Sequence, residues 1–119
     1  MSKVVIWHNP RCSKSRATLS LIEQHGLDPE IVEYLKTPPG ADEIKSVLKK
    51  LRMKPRDLMR KGEQVYTDLG LDNEKLSDDQ LVAAMAENPI LIERPVVIFG
   101  ARAKLGRPPE DVLDLFSGL

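Results

Sequence analysis

Short continuous apolar runs alternate with helix-spaced apolar positions along the first part of the chain. The run VVIW at residues 4–7 predicts a buried strand, and Pro10 ends it before a helical stretch from about Ser13 to Gln24, with Gly26 as its stop. A second apolar run at residues 31–35 predicts another strand. Strand, helix and strand in so few residues favour a right-handed parallel unit.

Helical spacing is the main signal in the middle of the chain. An amphipathic helix is predicted by the apolar positions Ile44, Val47, Leu48 and Leu51. Residues 55–60 form a candidate short helix, and the Ser-Asp-Asp-Gln sequence at residues 77–80 is a capping box that opens another, ended by Asn88-Pro89. We therefore expect a helical insertion at about residues 40–88.

The last third of the chain returns to apolar runs. Residues 90–92 and 96–99 predict a hairpin or two sheet strands, with Gly100 turning the chain. The sequence Pro-Pro-Glu-Asp at residues 108–111 suits a helix N-terminus. The final helix would then take its apolar face from Val112, Leu115, Phe116 and Leu119. The predicted order is β-α-β-α-α-α-β-β-α.

This order resembles a thioredoxin-like βαβ…ββα core. The resemblance implies an α/β fold with three layers, α/β/α, and a single domain over residues 1–119 that includes the helical insertion. In that fold the first βα loop carries the reactive cysteine, and a cis-proline begins the strand beside it. Arg94-Pro95 occupies the equivalent place in this chain, although without the fold resemblance a trans bond would be expected, since only about 5–6% of X–Pro bonds are cis.

Composition narrows the class of protein. With 119 residues, 41% of them hydrophobic and 30% charged, the chain fits one domain with its own core. No stretch approaches the roughly 18 consecutive apolar residues of a membrane span, and the N-terminal run is too short for a signal peptide. A single cysteine agrees with a reducing compartment. We expect a cytoplasmic monomer that does not bind membranes.

Charge is unevenly distributed although the net charge is zero. Residues 1–62 carry 13 basic and 7 acidic side chains, whereas residues 63–119 carry 5 basic and 11 acidic ones. Residues 94–109 hold four basic side chains and no acid, so two basic segments could meet on one anion. The alternative is that these are solvated faces of a neutral protein. Only five residues are aromatic, and no nucleic-acid partner is expected.

Cys12 is the candidate nucleophile. It lies between a strand and a helix, where unpaired N–H groups and the helix dipole favour the thiolate. Ser15, three residues on, could hydrogen-bond the sulfur, and Arg11, Lys14 and Arg16 add positive potential. The same features suit an oxyanion. The alternative role for Cys12 is a small buried hydrophobic residue.

Several other cysteine chemistries do not fit the spacing. A phosphatase loop needs five residues between cysteine and arginine, but only three separate Cys12 from Arg16. A thioredoxin-type dithiol is excluded because Ser15 stands where the second thiol would be. His8 and His25 show no zinc-ligand spacing, so no metal is expected. His8 has two interpretations: it could tune the thiolate or bind the anion, or it is simply a satisfied polar residue.

Four segments carry a family resemblance. "HNPRCSKSR" resembles the H-N-P-x-C-x-x-S-R signature of the glutaredoxin-coupled arsenate reductase family, and three later segments, "LMRKGE", "NPILIERPVV" and "LGRPPEDVL", are similar in order and spacing. The resemblance covers nearly the whole chain. It implies reduction of arsenate to arsenite, with no bound cofactor and with glutathione and glutaredoxin as external reductants.

The resemblance also assigns residues to roles. Cys12 corresponds to the catalytic cysteine of the family, and His8 and Ser15 match signature positions proposed to assist the thiolate. The oxyanion-binding arginines correspond to Arg60, Arg94 and Arg107. Arginine suits this role, because its planar guanidinium binds tetrahedral oxyanions through two parallel hydrogen bonds and keeps its charge.

One position departs from the best-known plasmid-type members. Gly106 stands where they carry a second cysteine. Two other functions stay open at this point. One is a glutathione-dependent monothiol oxidoreductase with another substrate, and the other is a polymerase-associated redox regulator without turnover. Ser15 argues against the regulator, because those relatives use a C-x-x-C switch.

Overall fold

The computed structural model describes residues 3–117. They fall into two compact units, a sheet unit within Met1–Thr37 and Arg94–Leu119 and a helical unit within Pro38–Glu93. The helical unit corresponds to the predicted insertion at about residues 40–88, with boundaries slightly further out. The prediction of one domain over residues 1–119 stays a prediction.

The sheet unit is built on four strands. Its elements are β1 (Val4–Trp7), α1 (Ser13–Gln24), β2 (Glu30–Val32), β3 (Val96–Phe99), β4 (Arg102–Leu105) and a 3-10 helix (Pro109–Phe116). The strand order is β2-β1-β3-β4. β1 is parallel to β2, as the strand–helix–strand pattern predicts, and antiparallel to β3, which pairs in turn with an antiparallel β4. Ile6 lies opposite Ile31 on one side and Val97 on the other.

The sheet unit buries one apolar cluster between the strands and the two helical segments. Its buried members are Val4, Ile6 and Val97 from the strands, Ile22 from α1, and Val112, Leu115 and Phe116 from the 3-10 helix. The rings of Phe99 and Phe116 lie 5.4 Å apart at 60°, a favourable tilted arrangement. This packing fixes α1 against the sheet, so the N-terminus of α1 has a defined place.

The helical unit contains three α-helices and two 3-10 helices among the described residues. They are α2 (Ala41–Leu51), a 3-10 helix (Pro55–Leu58), α3 (Gln64–Asp68), α4 (Asp78–Glu87) and a second 3-10 helix (Pro89–Leu91). α2 buries Ile44, Val47 and Leu48, as its spacing predicts. The capping box at the start of α4 is confirmed, because Ser77 Oγ accepts the N–H of Gln80 and Gln80 Oε1 accepts the N–H of Ser77.

The predicted strand at residues 31–35 is too long. β2 ends at Val32, because the chain turns immediately afterwards: the carbonyl oxygen of Glu33 accepts the N–H groups of Lys36 and Thr37 at 2.9 Å. The turn buries Tyr34 completely. The apolar character of this run therefore reflects a buried turn as well as a strand.

The predicted strand at residues 90–92 is wrong. Pro89 begins a 3-10 turn in which the N–H of Ile92 binds the carbonyl oxygen of Pro89, and Ile92 makes only an isolated bridge to Met59. The partner of β3 is β4, which the hydrophobic pattern missed. β4 is a short edge strand with exposed or half-buried positions around the buried Ala103, so it lacks an apolar run.

Three smaller differences concern helices. The predicted helix at residues 55–60 is a 3-10 turn ending at Leu58, α3 was not predicted, and the last helix is 3-10 rather than α. Val112, Leu115 and Phe116 are buried as expected, whereas Leu119 lies outside the described residues. The predicted bounds of β1 and α1 and the stop at Gly26 are confirmed, with Gly26 at φ +77°.

Candidate active site

The loop between β1 and α1 presents Cys12 at the N-cap of α1. Pro10 and Arg11 form a turn in which the N–H of Cys12 donates to the carbonyl oxygen of Asn9 at 3.0 Å. Cys12 has extended backbone angles, φ −95° and ψ 123°, and its own carbonyl accepts the N–H of Arg16. The side chain is only partly buried. The thiol therefore lies where a helix begins and remains open to a small reactant.

The surroundings of Cys12 lower the pKa of its thiol. Burial acts in the opposite direction and raises the pKa, but it is outweighed by the N–H of Ser15, the side chain of Arg94 and the N–H of Lys14. The charge of Arg94 adds to the same effect. The first turn of α1 and one guanidinium thus favour the thiolate, the form of cysteine that acts as a nucleophile.

His8 and Ser15 form a buried pair beside this loop. His8 Nδ1 and Ser15 Oγ are 2.7 Å apart, and Ser15 Oγ also accepts the N–H of Asn9 at 3.0 Å. Burial lowers the pKa of His8; the nearby Glu33 opposes this shift and Arg16 adds to it. Neutral His8 is therefore favoured near pH 7.

The role of Ser15 in this arrangement differs from the expected one. Its hydroxyl was expected to reach the sulfur, but the hydrogen bonds described for it go to His8 and Asn9. The group of Ser15 that favours the thiolate is its backbone N–H. The Nδ1 atom of His8 has a hydrogen-bond partner in Ser15, and the influence of His8 on the thiolate stays a prediction.

Arg94 and Arg107 are brought together by the sheet. Arg94 precedes β3 and Arg107 follows β4, and the N–H of Gly106 donates to the carbonyl oxygen of Pro95 at 3.0 Å. Arg107 Nε donates to the carbonyl oxygen of Arg94 at 2.8 Å. Both X–Pro bonds that follow these arginines are cis, and the cis bond at Pro95 is the one that the resemblance to the thioredoxin-like fold suggests. The hairpin thus places the Arg107 side chain beside the backbone of Arg94.

Part of the Arg94 guanidinium has no protein partner. Its Nε and Nη1 atoms are buried and make no hydrogen bond to the described residues. Leaving buried N–H groups unpaired costs free energy, and such groups in native proteins usually bind water or a ligand. Beside a thiol whose pKa Arg94 lowers, these N–H groups suit an oxyanion.

Arg60 belongs to the helical unit and has acidic neighbours there. Its Nη1 lies 3.2 Å from Glu93 Oε1, and its Nε lies 3.9 Å from Glu63 Oε2. Its backbone N–H donates to the carbonyl oxygen of Leu91 at 2.7 Å. The predicted role of Arg60 in oxyanion binding stays a prediction.

Two contacts near Cys12 were not predicted from the sequence. Asn9 is buried and makes three hydrogen bonds in the Cys12 loop; an Asn-Pro pair does mark a turn, so a signal for it was available. A Cβ atom at Gly106 would overlap Thr18 Oγ1 and would lie 2.7 Å from Pro95 Cγ. No sequence signal identifies that close approach.

Within residues 3–117, no group of three or more His, Cys, Asp or Glu side chains is arranged to hold a metal ion. Over the same residues, none of the helices has the length and apolar character needed to span a membrane.

The sheet unit defines a thioredoxin-like α/β protein with a single thiol at the start of its first helix and a cis-proline before β3. The ArsC family model matches residues 7–115. The chain belongs to the ArsC family, which confirms the predicted family and fold class.

Similar proteins agree with this assignment. A protein named arsenate reductase from Neisseria meningitidis serogroup A is 47% identical over 113 residues, covering 94% of this chain and 97% of that protein. The Escherichia coli K12 protein YfgD, whose name describes it as uncharacterized, is 48% identical over 114 residues, covering 95% and 96%. The structure of an arsenate reductase from Vibrio cholerae superposes with a TM-score of 0.94 at 49% identity, covering 96% of this chain and 98% of that one.

Proposed function

We propose that this protein reduces arsenate to arsenite, with Cys12 as the nucleophile and glutathione and glutaredoxin as external reductants. The observation that carries the proposal is the Arg94 guanidinium, which lowers the pKa of Cys12 and whose buried Nε and Nη1 atoms have no hydrogen-bond partner within residues 3–117. Arsenate is an anionic tetrahedral oxyanion of the kind that such N–H groups bind. The names of the relatives from Neisseria and Vibrio support the choice of arsenate.

The first step forms a bond between sulfur and arsenic. The Cys12 thiolate attacks As(V), and one arsenate oxygen takes up protons and leaves as water. Negative charge on the remaining oxygens is balanced by Arg94, with Arg107 beside it. No electrons are transferred at this stage, so arsenic remains As(V) in the adduct.

The second step transfers two electrons. A glutathione thiolate attacks the Cys12 sulfur, a disulfide forms, and the sulfur–arsenic bond breaks with its electron pair going to arsenic. Arsenic leaves as As(III) in arsenite. Both electrons come from the two thiols, which are now oxidised to a mixed disulfide.

The third step regenerates the enzyme. Cys12 is the only cysteine of the chain, so the mixed disulfide with glutathione cannot be resolved internally. A glutaredoxin thiolate attacks the glutathione sulfur and releases the Cys12 thiolate. These reductants fit the expected cytoplasmic location, which together with the monomeric state stays a prediction.

Turnover of arsenate with glutathione and glutaredoxin tests this proposal, with arsenite measured directly. We expect Cys12→Ser to abolish turnover. Intact-protein mass spectrometry of a reaction without glutaredoxin should show protein heavier by one glutathione, and this species should disappear when glutaredoxin is added.

The outcomes separate this function from the other two. A glutathione adduct without arsenite production would instead support a monothiol oxidoreductase with another substrate. Absence of any adduct, combined with co-purification of RNA polymerase, would support the regulator. Substantial activity of Cys12→Ser would refute the covalent mechanism.

A further inference from the structure

Asn9 connects three parts of the Cys12 loop. Its side-chain Oδ1 accepts the N–H of Arg11 at 3.0 Å, and its carbonyl oxygen accepts the N–H of Cys12 at 3.0 Å. Its own N–H donates to the buried Ser15 Oγ, also at 3.0 Å. Asn9 is itself buried, with 7% of its surface exposed. One residue therefore joins the turn, the thiol-bearing residue and the His8–Ser15 pair.

The chemistry of asparagine suits this turn. An asparagine oxygen that accepts the N–H two residues later forms an Asx turn, and proline in the next position presets the backbone angle. Pro10 occupies that position. The backbone turn closed by the Cys12 N–H on the Asn9 carbonyl ends at Cys12, so the N-cap of α1 and the end of that turn are the same residue.

We propose that Asn9 is a positioning residue that holds the Cys12 sulfur at the N-terminus of α1. Without the Oδ1 acceptor, the Arg11 N–H would lose its partner and the turn would open. The sulfur would then move away from the N–H groups of Lys14 and Ser15, which favour the thiolate. The inference rests on the proposed role of Cys12 as nucleophile, but its test does not require arsenate.

The helical unit offers a matched control at Asn73. There Oδ1 of Asn73 accepts the N–H of Lys75 at 3.0 Å, and its carbonyl oxygen accepts the N–H of Leu76 at 3.2 Å. These two hydrogen bonds match those at Asn9, but the Asn73 carbonyl also accepts Arg56 Nη2, Asn73 is exposed and no cysteine follows it. Replacing Asn73 tests the loss of an Asx turn alone.

The experiment measures alkylation of Cys12 by iodoacetamide as a function of pH, with each variant checked for folding by circular dichroism. We expect Asn9→Ala to raise the midpoint of this pH profile by about one unit. At pH values below the midpoint, the fraction of Cys12 present as thiolate is then about tenfold lower. Asn9→Ser should give a smaller rise, because a serine oxygen makes the same turn more weakly. Asn73→Ala should leave the midpoint unchanged.

Two results would overturn the proposal: an Asn9→Ala midpoint equal to that of the wild type, or an equal shift in Asn73→Ala. If Asn9→Ala does not fold, Asn9→Ser decides, and an unchanged midpoint in that variant refutes the role. A shifted midpoint in a protein that proves inactive on arsenate would refute the proposed substrate and leave the role of Asn9 intact.

Discussion

The Nε atom of Arg107 donates a hydrogen bond to the backbone carbonyl oxygen of Arg94 at 2.8 Å. This bond runs from the second residue after β4 to the second residue before β3, so it closes the open end of the hairpin. Because of this bond, the two arginines have different roles. Arg107 is oriented by its neighbour, whereas Arg94 keeps buried guanidinium N–H groups without a protein partner beside the thiol.

Arg94→Lys should therefore weaken oxyanion binding more than Arg102→Lys, its control on β4. Lysine keeps the charge but lacks the planar group with two parallel donors. A hydrogen bond to a charged group contributes roughly 1.5–3 kcal/mol, so we expect binding about ten- to hundredfold weaker. The measurement is the rise in unfolding temperature with added arsenate or phosphate. Equal protection of both variants would contradict a role for Arg94 in anion binding.

The sequence predicts the helix and strand boundaries of the sheet unit well where proline and glycine residues mark them. Pro10 and Gly26 delimit the segment that contains α1, so the predicted helix bounds match the structure. β4 alternates polar and apolar residues between Gly100 and Gly106, but it is only four residues long and has no apolar run, and its pairing with β3 is a tertiary property. The apolar run at residues 90–92 therefore predicts a strand at the wrong place, because Pro89 starts a 3-10 turn there.

The candidate site, like the fold, could be predicted from the sequence only in part. The residue types and their order identify Cys12, and the family motif adds the arginines. What could not be predicted is which atom of each residue acts. The hydroxyl of Ser15 is hydrogen-bonded to His8 whereas its backbone N–H favours the thiolate, and Nε and Nη1 of Arg94 are buried without a partner among the described residues.

Gly106→Ala should destabilise the protein because of one close approach. The new Cβ would overlap Thr18 Oγ1 and would lie 2.7 Å from the ring of Pro95. Thr18 is fully buried, and its hydroxyl donates to the carbonyl oxygen of Lys14, so it cannot easily move. Overpacking of this kind costs about 1–3 kcal/mol in the free energy of unfolding, which urea denaturation measures.

A double-mutant cycle shows whether Thr18 is the cause. Thr18→Ala removes both contacting atoms of that side chain, so Gly106→Ala should cost about 1 kcal/mol less in the Thr18→Ala background. Gly62→Ala is the control, since a methyl group there would have no atom within 4 Å beyond its own chain neighbours. Additive effects at Thr18 and Gly106 would show that the strain is relieved elsewhere.

His8 should make the protein less stable in mild acid. Burial holds the pKa of folded His8 below its ordinary value of 6.5, so the unfolded chain takes up this proton first as the pH falls. The free energy of unfolding should decline below about pH 6.5 and level off once folded His8 is also protonated. His8→Asn keeps an acceptor near the Nδ1 position but does not titrate.

The comparison is best made in the Cys12→Ser background. The lowered pKa of Cys12 also removes stability as the pH falls, and the serine eliminates that contribution. Urea denaturation at pH 7.5 and at pH 5 should give a larger loss of stability with His8 than with Asn at this position. Parallel pH profiles for the two proteins would mean that His8 does not titrate differently in the folded chain.

Exposed cations around Cys12 should attract anionic reactants. Arg11, Lys14 and Arg16 are exposed, and residues 9–22 contain no acidic side chain. Glutathione carries two carboxylates, so these charges would favour its approach to a partly exposed thiol. Anionic iodoacetate and neutral iodoacetamide alkylate the same sulfur. Their rate ratio therefore measures the attraction independently of the fraction of thiolate.

Arg11→Glu/Lys14→Glu should lower the iodoacetate-to-iodoacetamide ratio several-fold, because two attractive charges near the sulfur become repulsive. Lys49→Glu/Lys75→Glu changes the net charge equally within the helical unit and should leave the ratio close to the wild-type value. Added salt should reduce the difference between the two pairs, since exposed charges are screened within about 10 Å at 0.1 M ionic strength. The same Arg11/Lys14 variant should then need more glutathione for half-maximal turnover. An equal drop in both pairs would assign the effect to net charge alone.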